Sequence, residues 1–135
     1  MSNKKYNIIY ADPPWEYNDK LKLQNEGAAQ HYPTMPVKDI CDLKLPPLAD
    51  DCVLFLWVTH PMIREGLDVI KSWGFQYKTV AFTWIKKNRR GAGWFYGLGR
   101  WTRGNPELCL LATRGKPKRV RNDINQLVFS RSRKH

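Results

Sequence analysis

Asn7-Ile8-Ile9-Tyr10-Ala11-Asp12-Pro13-Pro14-Trp15 is the stretch on which the reading of this chain turns. Its first five residues are a β-branched and aromatic run of the kind that fits a pleated strand, and the two prolines end it, because proline lacks a ladder N–H and fixes its own φ. The run predicts a buried strand that stops in a rigid turn. In open α/β sheets ligands sit beyond the carboxyl ends of the strands, so Asp12 is placed where a site would form.

Working outward, Glu16 to Pro36 has no sustained apolar period and is rich in Asn, Asp, Gly, Gln and Lys, which predicts a long loop beside the turn. Within it His31 and Tyr32 offer rings for stacking or hydrogen bonding, although a solvated turn accounts for them equally well. Val37 to Leu43 is a short helix candidate. Cys52-Val53-Leu54-Phe55-Leu56-Trp57-Val58-Thr59 is a continuous apolar run, the pattern of a strand buried on both faces. Ile63, Gly66, Leu67, Ile70 and Trp73 then recur at helical spacing between Pro61, suited to a first turn, and Gly74, suited to a C-cap. A third strand is expected over Tyr77 to Ile85, with Val80, Phe82 and Trp84 in phase. Strand, helix and strand in this order predict a βαβ unit and a mostly parallel sheet with flanking helices. A fourth strand is expected over Glu107 to Thr113.

The 135 residues fit one α/β domain. The net charge of +11 calls for an anionic partner, nucleic acid before an acidic membrane surface. Between Lys86 and Arg103 the cations Lys87, Arg89, Arg90, Arg100 and Arg103 alternate with Trp94, Phe95, Tyr96 and Trp101. Phosphate contacts and stacking surfaces together are what an unstacked or single-stranded nucleic acid requires. An enzyme that acts on a base in a duplex must first extrude it, which gives such a loop a purpose. The tail, from Arg114 on, is basic with one apolar patch at Leu127 to Phe129. Cys41, Cys52 and Cys109 lack metal or disulfide spacing, and His31, His60 and His135 lack ligand spacing, so no metal site is expected. Met1 to Tyr6 has no apolar stretch of signal length, and no run approaches a membrane span, which predicts a soluble, cytoplasmic protein.

Asp12 followed by two prolines and an aromatic suits a planar amine whose lone pair is delocalised into a ring. Asp12 can accept one N–H, the carbonyl of Pro13 the other, and Trp15 can stack on the base. The alternative is that Asp12 caps a turn and Trp15 is core. Lys86 at the end of one strand and Glu107 at the head of another are expected to project into one crevice of a parallel sheet. A simple ion pair is the competing reading.

Taken in order, Ala11 to Trp15, His31 to Met35, Leu54 to Thr59, Trp73-Gly74-Phe75, Trp84-Ile85-Lys86 and Glu107 to Leu110 resemble the DPPW-type N6-adenine methyltransferases over nearly the whole chain. That group includes the catalytic subunit of the eukaryotic mRNA adenosine methyltransferase and bacterial and phage relatives. The resemblance implies a Rossmann-like fold, S-adenosylmethionine as methyl donor and Asp12, Pro13, Pro14 and Trp15 as the catalytic tetrad, with Asp12 and Pro13 also bordering the cofactor. It further implies that Tyr32, Lys86 and Glu107 border substrate and that Arg89, Arg90 and Arg103 belong to a target-binding loop. The compact, extension-free chain favours DNA over RNA. In that group the main cofactor-binding segments come after the point where this chain ends, so an incomplete fold is expected. A catalytically silent nucleic-acid-binding relative is the second reading.

Overall fold

The computed structural model describes residues 4–16, 33–97, 99 and 101–132. Among them a five-stranded sheet is formed by β1 (Tyr6–Ala11), β2 (Leu48–Thr59), β3 (Gln76–Lys87), β4 (Glu107–Arg114) and β5 (Leu127–Arg131) in the spatial order β1-β2-β4-β3-β5. Helices α1 (Val37–Cys41) and α2 (Ile63–Ser72) pack on one face.

β2 alternates sharply. Cys52, Leu54, Leu56 and Val58 are buried, while Val53, Phe55, Trp57 and Thr59 on the opposite face are half-buried. The unbroken apolar run therefore reflects one face under the helices and one aromatic face over which no described helix lies. β1 likewise departs from the expected buried strand. It pairs with β2 alone, as a parallel edge strand, and leaves Ile8 and Tyr10 exposed. Only Ile9 and Ala11 turn toward the core.

A mostly parallel sheet was expected, and the sheet observed is mixed. β1 pairs parallel with β2, and β5 with β3, but β4 runs antiparallel to both β2 and β3. β2 and β3 thus share a direction, as a βαβ unit requires, with β4 inserted between them. Nor do Val80, Phe82 and Trp84 share a face. Val80 pairs with Leu110 and Phe82 with Cys109, so one extra residue forms a bulge between them and turns Phe82 and Trp84 to the aromatic face. β5 comes from the apolar patch of the basic tail, which gave no strand signal beyond three residues.

α2 begins after a short 3₁₀ turn carrying Pro61 and ends in a Schellman motif. Gly74, at φ +85°, donates to the Lys71 carbonyl, and the Phe75 N–H reaches back to Ile70. Val69 and Ile70 are buried beneath the helix, each worth about 1.5–3 kcal/mol of transfer free energy. The Trp73 indole N–H donates to the Ile40 carbonyl at 2.9 Å, which ties α2 to α1. Gly66 lets α2 lie against β2, since a Cβ there would stand 2.6 Å from Val58 Cγ1.

Candidate active site

The carboxyl ends of β1, β2 and β3 and the amino end of β4 lie at one end of the sheet. Asp12 follows Ala11 there. Its charge is felt at Cys109 on β4, whose thiol is pushed up to about 11 by burial first and by the Asp12 carboxylate second. The residue thus stands at the end of the aromatic face.

The turn after Asp12 is fixed by its own backbone. Trp15 N–H donates to the Pro13 carbonyl at 2.9 Å, a closed three-residue turn, and Met35 N–H donates to the Pro14 carbonyl at 2.8 Å. Trp15 itself is 6% exposed and packs in the core, with its indole N–H on the Trp57 carbonyl at 2.9 Å. Of the two roles open to Trp15, the structure gives it the packing one. Stacking on a base would need a ring face that is here covered, and the indole instead anchors the turn. The Pro13 oxygen already takes one N–H, which leaves a second lone pair by valence.

Lys86 and Glu107 meet: Nζ lies 2.6 Å from Oε2, with both side chains about four-fifths covered. Their proximity does not come from a parallel sheet, as expected, because there the end of one strand and the head of its neighbour lie at opposite ends. The antiparallel course of β4 is what joins them. Lys86 Nζ also lies 5.1 Å from the Trp84 ring and 5.7 Å from the Phe95 ring.

Residues that the sequence placed only in strands, without a site role, complete this wall. Trp57 Nε1 donates to the Tyr10 hydroxyl at 2.7 Å, and Trp57 meets Trp84 edge to face at 6.4 Å. Phe55 stacks on Phe82 at 6.4 Å. Period-two alternation back from Asp12 was enough to place Tyr10 on the same face. Asn105 was also missed. Its Oδ1 accepts from the Lys86 N–H at 2.9 Å, and its Nδ2 donates to the carbonyls of Lys86 and Phe95.

Beyond Lys87 the basic excursion is held against β5. Arg131 Nη1 donates to the Asn88 carbonyl at 2.7 Å and the Gly91 carbonyl at 3.1 Å, and Trp94 lies 5.8 Å from Phe129. Asn88, Arg89, Arg90 and Phe95 line an open hollow of about 530 Å³. Arg89, Arg90 and Arg103 are exposed. His31, Tyr32, Arg100 and His135 lie outside the described residues. No helix among the described residues is long and apolar enough to cross a membrane.

Comparison with known proteins identifies the family. A family model, MT-A70, matches residues 6–135. The chain is 38% identical over 148 aligned residues to the Type II methyltransferase M.MunI of Mycoplasma sp, an alignment covering 95% of this chain and 60% of that protein. It is 30% identical over 115 residues to the N(6)-adenosine-methyltransferase catalytic subunit METTL3 of Homo sapiens, covering 84% of this chain and 18% of that protein. An N(6)-adenosine-methyltransferase MT-A70-like protein of Drosophila melanogaster is 30% identical over 122 residues, covering 90% of this chain and 18% of the relative. The chain thus spans about three-fifths of the first relative and under a fifth of the other two. Its mixed sheet with helices on one face is that of a Rossmann-like methyltransferase fold, present in part, and the chain belongs to the MT-A70 family.

Proposed function

We propose that this chain carries the amine-binding side of an S-adenosylmethionine-dependent methyltransferase acting on the N6 amine of adenine in nucleic acid, DNA in preference to RNA. The observation that carries the reading is the gathering of Asp12, the Lys86–Glu107 pair and the aromatic face at one end of the sheet, beside a basic excursion. Methyltransferases of this family take their methyl group from S-adenosylmethionine, whose sulfonium supplies an electrophilic carbon.

The chemistry left to the protein is to make the amine a nucleophile. The Asp12 carboxylate accepts one amine N–H, and the second lone pair of the Pro13 oxygen accepts the other. Held by both, the nitrogen can pyramidalise, and its lone pair would be free to attack the methyl carbon as the carbon–sulfur bond of the donor breaks and the sulfur leaves as a neutral thioether. Asp12 is also the group placed to take up the proton that the alkylated nitrogen sheds. Trp15 acts at one remove, because its bond to the Trp57 carbonyl sets the position of the turn. Asp12 and Pro13 border the methyl donor as well as the base. Lys86 and Glu107 present a paired charge toward the adenine edge. Arg89, Arg90 and Arg103 take up phosphates.

DNA is preferred on the 38% identity to a type II methyltransferase, against 30% to the adenosine methyltransferases. The test is a labelled-methyl assay on matched single- and double-stranded DNA and RNA, with Asp12→Ala as control. Methylation of DNA that Asp12→Ala abolishes, with salt-dependent binding retained, is the expected result. Methylation of RNA alone would reverse the substrate preference. Binding without transfer, and no calorimetric heat with millimolar S-adenosylmethionine, would reduce the chain to a nucleic-acid-binding module.

A further inference from the structure

We propose that Asn105 is a positioning residue that latches the basic excursion to the end of β3, so that Arg89 and Arg90 stand in a fixed relation to the Lys86–Glu107 pair. The proposal rests on the reading of this excursion as the nucleic-acid surface.

The β3–β4 ladder reaches its last pair at Trp84 and Glu107. Pro106, the residue just before β4, has no N–H, so the backbone ladder stops. The Lys86 carbonyl takes the Phe95 N–H at 3.0 Å, but the Lys86 N–H would be left there directed at no strand. The Asn105 side chain fills the position. Its Oδ1 accepts from Lys86 N–H and its Nδ2 donates to the Lys86 oxygen, each at 2.9 Å. This is the two-bond exchange of an antiparallel pair, made by a side chain.

The same Nδ2 also donates to the Phe95 carbonyl, while Phe95 N–H donates to the Lys86 oxygen at 3.0 Å. The start, middle and end of the excursion are thereby joined at one planar group. The task needs an acceptor and a two-proton donor on one short side chain, which among the twenty residues describes asparagine. What it fixes is functional in placement: Phe95 forms a wall of the hollow with Arg89 and Arg90 and lies under the Lys86 ammonium. Asn105 is neutral and its amide is engaged with backbone, so any effect it has on phosphate binding comes through these neighbours.

That neutrality gives the test. Binding of a fluorescein-labelled, adenine-containing single-stranded DNA is followed by anisotropy over a salt series for the parent, Asn105→Ala and Asn105→Gln, with hydrogen exchange of the Lys86 amide read in parallel. Both variants keep the net charge, and Asn105→Gln keeps the amide one methylene too far out, so it serves if the alanine variant fails to fold. Expected are a five- to tenfold loss of affinity, a salt slope shallower by about one phosphate's worth, and faster exchange at Lys86. Unchanged affinity and slope in a folded variant would overturn the latch while leaving the nucleic-acid reading intact. A parent chain that does not bind the oligonucleotide would overturn that reading and the latch with it.

Discussion

Lys86 Nζ and Glu107 Oε2 lie 2.6 Å apart because β4 runs against β3, bringing the head of one strand to the end of the other. With side chains 17% and 21% exposed, the pair falls between a solvated ion pair and a buried one. A double-mutant cycle with Lys86→Met and Glu107→Gln, read by urea unfolding, should give a coupling of about 1–2 kcal/mol. A coupling below roughly 0.3 kcal/mol would mean that the pair is solvated.

Cys109 makes the chain sensitive to alkali. Its thiol is raised from 9.0 to about 11, by burial and then by Asp12, so the folded state holds a proton that the unfolded chain has lost. Its stabilising contribution is complete below pH 9 and disappears as pH rises from about 9 to about 11. Stability measured across that range should fall less steeply in Cys109→Ala than in the parent, by an amount on the order of 2 kcal/mol at the upper end. Asp12→Asn should lower the apparent pKa of Cys109 in thiol alkylation, while burial keeps it above the ordinary value.

Gly66→Ala should destabilise the chain in spite of the helix propensity it gains. The gain is about 1 kcal/mol, but the new methyl would meet the stiff, buried Val58 side chain, where overpacking costs about 1–3 kcal/mol. Val58→Ala, which costs core packing by itself, should cost less in the Gly66→Ala background than in the parent. A simple sum of the two effects in denaturant unfolding would refute the contact as its cause.

Replacing Arg89, Arg90 and Arg103 together with glutamine should lower the magnitude of the salt slope of oligonucleotide binding by up to about 2 for a single strand. Asp12→Ala should leave that slope unchanged. An equal effect of both on binding would contradict the division between amine clamp and phosphate surface.

The end of β1 and the entire α2 segment were legible in the chain, because prolines and a glycine mark them and backbone conformation is a local property. Asp12 falls at the end of β1, and Gly74 caps α2 as its position suggests. Strand direction is not local. The alternation of Leu108, Leu110 and Ala112 toward the helices would look the same in a parallel or an antiparallel β4. The bulge before Phe82 shows only once Leu110 and Cys109 are known as partners. Asn105 and Arg131 escaped for a related reason, since both act on backbone carbonyls distant in sequence and leave no periodic trace.

The insertion of β4 between β2 and β3 also sets how the sheet can assemble. These two earlier strands share no ladder, so each waits with an open edge until residues 107–114 have been made. Assembly then requires closing the long excursion and both ladders within one event, a non-local step of the kind that slows folding and leaves unpaired apolar edges exposed. A nascent chain stopped short of Glu107 therefore leaves the facing edges of β2 and β3 unpaired, and the strand that joins Lys86 to Glu107 is also the one that closes the sheet.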